Sequence, residues 1–464
     1  MVANGREDGV TLGIVVSRAD SASVHVGEQL LELGEWDEST DRSRPDAEGG
    51  GVVYRSAGIE LRQFEAWHVD LNGADRAFGA DLDLLVFASR HSGDTGPLLS
   101  AHHTGNFGKA AHGGEERRFA RAAPNAHKRV VEAFDELAPL DYEVATECTH
   151  HGPTDIETPS LFCELGSDEP RWEDPEGARA LARSILALRG VEPTRDRTLV
   201  GFGGGHYANR FLRILRETDW AVGHVGAAWS VAEMGAPAEN EGVLQRAMER
   251  SGASHAVVDG RNPEVERTLE GMGYRVVSET WIRESTGLDL ELLRHLEERL
   301  VPVDDGLRFG EPATEEGVST QNDEGADGSI TVASLPASLL SEAQGIDLKT
   351  TWEAVADRTL AFETEEGGSK LAGRVALPRS EEGNREEILE ALTDVLAGKY
   401  DAIERGEEAI VARERAFDPE KARTFGIEEG PAFGRLAAGE AVEVDGREIP
   451  PEAVHTEREQ RFPR

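Results

Sequence analysis

Histidines are concentrated in one part of this chain, and four of them stand in pairs. Nine of the fourteen lie between His91 and His224, among them the neighbours His102-His103 and His150-His151. Each pair follows an apolar run and lies beside threonine and glycine, a pattern that core packing explains poorly. Imidazole with carboxylate is a ligand set that suits Zn²⁺, and without a metal a histidine can act as general base on water. The pairs therefore predict a site for metal or proton chemistry.

The elements that must position these residues are short strands. Three runs typical of strands each lead into a polar segment: 82–88 into 89–91, 141–147 into 147–154, and 198–202 into 203–206. Strand and helix patterns alternate to about residue 300 and predict an α/β fold, with a mostly parallel or mixed sheet flanked by helices. Because the carboxyl ends of parallel strands meet at one edge of a sheet, we expect the three segments to share a pocket.

The neighbouring histidines are not expected to act alike. Adjacent residues of an extended chain point to opposite faces, so one imidazole of each pair faces the pocket unless the chain turns there. The alternatives are a structural role for both pairs and helix capping for His206, in a helix predicted over 206–217. The loop from Gly201 superficially resembles a dinucleotide loop, but His206 replaces its third glycine. Its backbone N–H groups can hold a phosphate or an oxyanion.

Acidic residues dominate the whole length of the chain. The net charge is −40, the pI is near 4.7, and only six lysines occur. Such a surface is typical of a protein that works in molar salt, so we expect a halophilic cytoplasm. Acidic charge normally argues against nucleic-acid partners, but at 1 M salt charges are screened within roughly 3 Å. The charge therefore does not exclude an RNA substrate.

The remaining composition indicates a soluble cytoplasmic protein. Cys148 and Cys163 are the only cysteines and form no C-x-x-C motif, which fits a reducing compartment. No secretory signal is visible, and no apolar run approaches the roughly 20 residues that span a bilayer. We expect no membrane partner, and no protein partner is evident.

The chain is expected to divide into three parts. Residues 1–300 are predicted to form the catalytic domain, with a surface loop over 36–51. Residues 301–330 are acidic and poor in apolar side chains, which predicts a linker. Residues 331–464 are predicted to form a small α+β extension of unknown role, with helices over 338–359 and 386–397 and turns with short strands over 430–454.

Taken together and in order, six motifs resemble those of the archaeal and plant-type D-aminoacyl-tRNA deacylases. The resemblance covers roughly residues 10–295, and the segment 17–23 is also similar. Residues 226–230 depart from it, since the family has a stretch containing proline and lysine there. The six motifs are residues 89–93, 99–106, 147–154, 159–162, 166–167 and 203–208.

The resemblance implies an enzyme that hydrolyses the ester between a D-amino acid and the terminal adenosine of tRNA. It also implies a pair of zinc ions per subunit, a monomer, and a core like the sheets of peptidyl-tRNA hydrolases and nucleoside phosphorylases. Two alternatives stay open: a metal-dependent nuclease or phosphoesterase acting on RNA, and a non-catalytic tRNA-binding protein.

On this basis we assign roles to the candidate residues. His150, His151 and His206 are predicted to be catalytic. His102, His103 and Glu147 are predicted to bind metal or to orient the imidazoles. The predicted substrate-binding residues are Ser89, Arg90, His91, Thr104, Asn106, Thr149, Thr154, Gly203, Gly204 and Gly205.

Overall fold

A computed structural model describes residues 11–314, 330–378, 383–444 and 446–464. The chain divides into two compact units, one ending at Thr286 and the other beginning at Gly287. The boundary therefore lies before residue 300. The predicted linker is wrong for residues 301–314, because Leu307–Phe309 form a strand that pairs within the second unit. Its other part, 315–329, lies outside the described residues.

The first unit is built on an eight-stranded mixed sheet. Its strand order is β2-β3-β4-β1-β5-β8-β6-β7. Parallel pairing joins β4, β1, β5 and β8 in turn and also joins β6 to β7, whereas β6 runs antiparallel to β8. The strands are β1 (Leu12–Ser17), β2 (Asp37–Asp41), β3 (Gly51–Ser56), β4 (Ile59–Phe64), β5 (Leu84–Arg90), β6 (Leu98–His102), β7 (Glu143–Thr146) and β8 (Ser160–Gly166).

A second sheet in the same unit has four parallel strands in the order β10-β9-β11-β12. The strands are β9 (Thr198–Gly203), β10 (Ala221–Gly226), β11 (His255–Asp259) and β12 (Arg275–Val276). The sequence predicts that the three polar segments follow strands of one sheet. In the structure, those strands belong to two sheets. Alternating strand and helix patterns do not reveal this, because long-range pairing decides which strands are neighbours.

Helices cover these sheets. They are α1 (Ser21–Leu33), α2 (Pro124–Leu137), α3 (Glu169–Trp172), α4 (Pro175–Leu186), α5 (Asn209–Glu217), α6 (Ala228–Met234), α7 (Glu241–Ser251), α8 (Pro263–Gly271) and α9 (Glu279–Glu284). Because side chains alternate along β1, Ile14 and Val16 pack under α1, α2 and α4, while Val15 packs on the other face with Phe87 and Phe162. Asp20 caps α1 by accepting a hydrogen bond from the Ala22 N–H at 3.0 Å.

The second unit is an α+β assembly. Antiparallel strands form sheets in the orders β13-β15-β16-β14 and β17-β18-β21 and a β19-β20 hairpin. Its helices are α10 (Leu290–Arg299), α11 (Ala337–Ile346), α12 (Leu348–Ala356), α13 (Asn384–Val395), α14 (Pro419–Thr424) and α15 (Pro431–Ala437). Its strands are β13 (Leu307–Phe309), β14 (Ile330–Ser334), β15 (Ala361–Glu365), β16 (Lys370–Pro378), β17 (Ala402–Arg405), β18 (Ala409–Phe417), β19 (Val442–Val444), β20 (Arg447–Ile449) and β21 (His455–Pro463).

The predicted fold class is confirmed: a mixed α/β sheet flanked by helices, with a C-terminal α+β part. Local differences remain. The predicted loop 36–51 contains β2, and the helix predicted over 338–359 is two helices, with Asp347 capping the second. The segment 430–454 begins with a helix rather than with turns. Within the described residues, no helix is long and apolar enough to cross a membrane.

Candidate active site

The candidate site lies where the two sheets of the first unit meet. The chain leaving β7 pairs with the chain leaving β9: the Cys148 N–H donates to the His206 carbonyl at 2.8 Å, and the Ala208 N–H donates to the Thr146 carbonyl at 2.9 Å. This pairing brings Glu147 beside His206. The predicted meeting of the three segments is therefore found, although it joins two sheet edges. The same pairing explains why α5 begins at Asn209, so that His206 precedes the helix.

Glu147 is the centre of the site. Its side chain is fully buried, and its Oε2 lies 2.8 Å from His206 Nε2 and 3.8 Å from His150 Nε2. Its Oε1 lies 3.9 Å from His91 Nε2 and has no hydrogen-bond partner. Burial alone would raise the pKa of Glu147, but the His206 hydrogen bond and the neighbouring imidazoles outweigh burial and lower it. A buried, ionised carboxylate thus has one oxygen atom left unsatisfied.

Five imidazoles face this carboxylate or its surroundings, and we call them the pocket histidines: His91, His102, His150, His151 and His206. The His102 ring centroid lies 4.4 Å from that of His150 and 4.9 Å from that of His151. Hydrogen bonds to Cys148 and Glu147 raise the pKa of His206 to about 10. Burial, with the charge of His102, lowers the pKa of His150 to about 3.

His150 and His151 both face the pocket because the chain turns between them. His151 has a φ of +50°, in the left-handed region that few residues other than glycine adopt. The two ring centroids are 4.4 Å apart. The turn is held from the other side by the Gly105 N–H, which donates to the His151 carbonyl at 2.9 Å.

His102 and His103 diverge, as expected for an extended chain. His103 belongs with two other buried imidazoles, His127 and His224, and we call these three the buried trio. The His103 ring lies 4.9 Å from His127 and 5.7 Å from His224, and its Nδ1–H donates to the Gly223 carbonyl at 3.0 Å. Among the described residues, His103 is in none of the groups of converging metal ligands. The structure therefore does not support the predicted metal-binding role of His103.

Glu164 is a member of the site that the sequence reasoning missed. It lies in β8, is buried, and has its Oε1 3.4 Å from His102 Nε2. Burial raises the pKa of Glu164 to about 7 despite the hydrogen bond to His102. A lone carboxylate inside an otherwise apolar strand was the available signal, since an unpaired charge is rarely buried.

The donor atoms fit a metal. Four groups of three side chains each bring their ligand atoms within 4.8 Å of one another: His102/His150/His151, Cys148/His150/His206, His91/Glu147/His206 and His102/Glu147/Glu164. Nitrogen, sulfur and carboxylate oxygen are the ligands of zinc and similar ions. The unsatisfied Oε1 of Glu147 is independent support, because a buried carboxylate oxygen without a partner is costly.

Two recesses open on either side of this cluster and share His112, His150, His151 and His206 as lining. The larger, about 470 Å³, contains the carboxylates of Asp20, Glu147 and Glu164. The smaller, about 270 Å³, is lined by apolar and aromatic groups that include Phe107 and Trp229. A substrate whose reactive bond lies at the cluster can therefore place one of its two halves in each recess.

Arg90 and Ser89 are fixed at the edge of the larger recess. The Arg90 guanidinium lies between the rings of Trp67 and Trp172, 4.5 and 4.4 Å from their centroids. Ser89 Oγ lies 3.5 Å from Nδ1 of His68, a buried histidine that the sequence reasoning also missed. Both residues line the recess, as does His91.

Other predicted substrate-binding residues hold loops in place. The Thr104 hydroxyl donates to the Pro153 carbonyl at 2.7 Å, and Thr154 Oγ1 accepts from the Glu115 N–H at 2.9 Å. Asn106 and Thr149 line the smaller recess. Asn106 Nδ2 donates to the Gly113 and Glu115 carbonyls.

Gly203, the last residue of β9, lines a cavity that contains none of the pocket histidines. Gly203 has a φ of +98°, and a Cβ atom there would lie 2.1 Å from the Asp259 carbonyl oxygen. Gly203 lines a separate cavity of about 560 Å³ beside Asp259 and Asn262. An oxyanion-binding role for Gly203, Gly204 and Gly205 stays a prediction.

Comparison with known proteins gives a consistent result. A family model of D-aminoacyl-tRNA deacylases matches residues 78–277. The D-aminoacyl-tRNA deacylase of Natronomonas pharaonis is 51% identical over 97% of this chain and 99% of its own. That of Haloarcula marismortui is 49% identical, again over 97% and 99%. The crystal structure of a conserved protein of unknown function, 27% identical, covers 60% of this chain and 99% of its own with a TM-score of 0.53. The chain belongs to the D-aminoacyl-tRNA deacylase family.

Proposed function

We propose that this chain hydrolyses the ester bond of D-aminoacyl-tRNA at the pocket histidines, releasing the D-amino acid and free tRNA. Family membership supports the reaction. The observation that carries the location is Glu147: a buried carboxylate surrounded by imidazoles at the larger recess, with His150, His151 and His206 lining both recesses. An ester hydrolase needs an activated water and stabilisation of a developing oxyanion, and this cluster supplies groups for both.

The chain's own groups have distinct protonation states. The His150 Nδ1–H donates to the Cys148 carbonyl at 2.8 Å, which leaves Nε2 as the lone-pair atom that faces Glu147. A neutral imidazole in this tautomer accepts a proton or binds a metal. His206 is held protonated by Glu147 and is the cation best placed to stabilise negative charge or to protonate the leaving 3′ oxygen.

We propose zinc as the metal of this cluster. Two donor groups do not use the protonated His206, and because a zinc-binding imidazole must be neutral, the residues that would hold zinc are His102, Glu147, His150, His151 and Glu164. When bound, zinc would supply a water whose pKa is lowered to roughly 7. More than one group of donors is present, which supports the pair of ions that the family resemblance implies. The catalytic roles of His150, His151 and His206 rest on this arrangement.

The decisive experiment compares D-Tyr-tRNA with L-Tyr-tRNA in high KCl, with and without a chelator. We expect hydrolysis of the D-substrate only, loss of activity with the chelator, and recovery on adding zinc. The tRNA should stay intact, which separates ester hydrolysis from the nuclease alternative. His151→Ala should lower the rate by on the order of 10²–10³-fold. Full activity of that variant with its metal content unchanged would contradict the assignment.

We also propose that the enzyme works as a monomer in a halophilic cytoplasm. The net charge of −40 and the haloarchaeal relatives support a high-salt environment. Activity should rise as the KCl concentration approaches the molar range. Sedimentation in about 2–3 M KCl should give the mass of a monomer. A dimer under those conditions would contradict the second part.

A further inference from the structure

The smaller recess differs from the larger one in the groups that line it. Trp229, on α6, has 48% of its surface exposed, which is unusual for a tryptophan beside a reactive centre. Phe107 forms the apolar interior and packs edge to face against Phe119, with ring centroids 4.8 Å apart. Gly108 lies so close to α6 that a Cβ there would be 2.8 Å from Glu233 Cβ. The recess thus has a fixed backbone floor and an exposed indole.

A lysine also stands at this recess. Lys109 is one of only six lysines in the chain and is exposed. Among the described residues, Lys128, Lys349, Lys370 and Lys399 each form an ion pair with a glutamate, whereas no ion pair is found for Lys109. The recess therefore offers the substrate an ammonium group, although the exposed Glu233 also lies in its lining.

The larger recess is more acidic, and Arg90 lies over the ring of its own exposed tryptophan, Trp67. Asp20, Glu147 and Glu164 provide three carboxylates, and Arg90 is held between two tryptophans. An aminoacyl ester carries an ammonium group next to its carbonyl, which carboxylates attract. Its other half is a nucleotide with a flat base and a phosphate, which suit an exposed indole and a lysine. The two halves of the substrate therefore match the two recesses.

We infer that the recess formed by Phe107, Lys109 and Trp229 binds the terminal adenosine of the tRNA, with the base stacked on the Trp229 indole and the 5′ phosphate near Lys109. This inference rests on the proposed function. It leaves the D-aminoacyl group in the larger recess, with the ester at His112, His150, His151 and His206. Stacking also suits molar salt, because salt screens a phosphate contact but not the contact between two flat rings.

The test uses adenosine 5′-monophosphate as the probe and the full-length protein. AMP binding is followed by calorimetry in about 2 M KCl. Competition between AMP and D-Tyr-tRNA is measured in the same buffer. Trp229→Ala should weaken AMP binding by about tenfold or more, because one base stack is worth that much. Trp229→Phe should restore most of the affinity. Lys109→Gln should weaken binding of AMP more in about 0.5 M KCl than in about 2 M KCl, because salt screens the phosphate contact, and should leave binding of adenosine unchanged.

Phe425→Ala is the matched control, since Phe425 is an exposed aromatic residue of the second unit. It should leave AMP binding unchanged. Binding of D-tyrosine should not depend on Trp229. If Trp229→Ala weakens D-tyrosine instead, the recess holds the amino acid and the inference is wrong; unchanged AMP binding in a folded Trp229→Ala variant also overturns it. If AMP binds as described but D-Tyr-tRNA is not hydrolysed, the proposed function fails and the nucleotide site stands.

Discussion

The pocket histidines and the buried trio use the same side chain in opposite ways. His102 and His103 are neighbours, yet His102 faces Glu164 whereas His103 faces His127. Each member of the trio donates to a backbone carbonyl: His103 to Gly223, His127 to Val222 and His224 to Ala120. The pocket group is organised around carboxylates and exchangeable protons. The trio is organised around fixed neutral hydrogen bonds.

The difference shows that the surroundings of a histidine cluster decide its role. Buried imidazoles beside carbonyls are kept neutral, and burial lowers the pKa of His127 to about 4 and of His224 to about 3. The trio reaches the site through two threonines. The Thr146 hydroxyl lies 2.8 Å from His127 Nε2, and Thr149 Oγ1 lies 3.1 Å from His224 Nδ1. The trio thus positions the loop that carries Glu147 and His150.

The largest effect is expected at Glu147, whose loss removes the centre of the pocket group. Glu147→Gln should lower hydrolysis of D-aminoacyl-tRNA by on the order of 10²–10³-fold and lower the bound metal, because the amide carries no charge. Single-turnover rates and metal analysis measure both. Glu143→Gln, an exposed position on β7, is the control and should behave as the wild type. Equal losses in both variants would contradict the central role of Glu147.

Removing one histidine from each group should separate activity from stability. His127→Ala leaves a cavity and an unsatisfied Val222 carbonyl and should cost about 2–4 kcal/mol of the free energy of unfolding. His150→Ala should change stability much less and abolish most activity. Denaturant unfolding at constant KCl, with kcat measured on the folded protein, gives both quantities. If His127→Ala is as stable as the wild type, the trio is not structural.

Stability should depend on pH through the trio. His127 and His224 are neutral in the folded protein, while in the unfolded chain their pKa is about 6.5. Below that pH the unfolded chain binds protons that the folded protein does not, so their contribution is complete above about pH 6.5 and is lost as pH falls toward 4 and 3.

Each such group changes the free energy of unfolding by about 1.4 kcal/mol per pH unit in this range. His224→Gln should therefore lose stability less steeply than the wild type between about pH 6 and 4.5, a range that lies between the unfolded and folded pKa values of His224. Denaturant unfolding across that range measures the slope. Identical slopes for the two proteins would show that His224 is not held neutral by burial.

The smallest effect is expected at Thr149, which links the two groups. Its hydroxyl accepts from the Val225 N–H at 3.0 Å and donates to His224 Nδ1. Thr149→Val should cost about 1–2 kcal/mol of stability, because both partners lose a buried hydrogen bond. Thr149→Ser keeps the hydroxyl and should retain most of it. A serine variant no better than valine would mean that the hydroxyl is not the link.

The sequence predicts those features of the site that depend on local backbone geometry. The divergence of His102 from His103 follows from an extended chain. The left-handed turn at His151 does not, because a positive φ at a residue other than glycine is set by surrounding contacts, here with Gly105. The family and the fold class are confirmed, and the roles of the individual residues stay predictions.

Long-range pairing limited the rest. The second sheet depends on β9 pairing with β10 and β11 rather than with a strand of the first sheet, which strand patterns alone do not specify. Glu164 can be recognised as a site residue only from the pairing of β8 with β5 and β6. The same limit applies to the trio, whose members come from the end of β6, from α2 and from β10.

The pairing between the chains leaving β7 and β9 has a consequence for biosynthesis. Glu147 acquires its partner only when His206 is present, and the Thr149 N–H donates to the Val225 carbonyl at 2.7 Å. A ribosome has therefore to release the chain beyond β10 before all of these contacts can close. A product that ends before His206 contains most of the histidines but cannot assemble the hydrolytic centre, because the carboxylate of Glu147 lacks its hydrogen-bond partner.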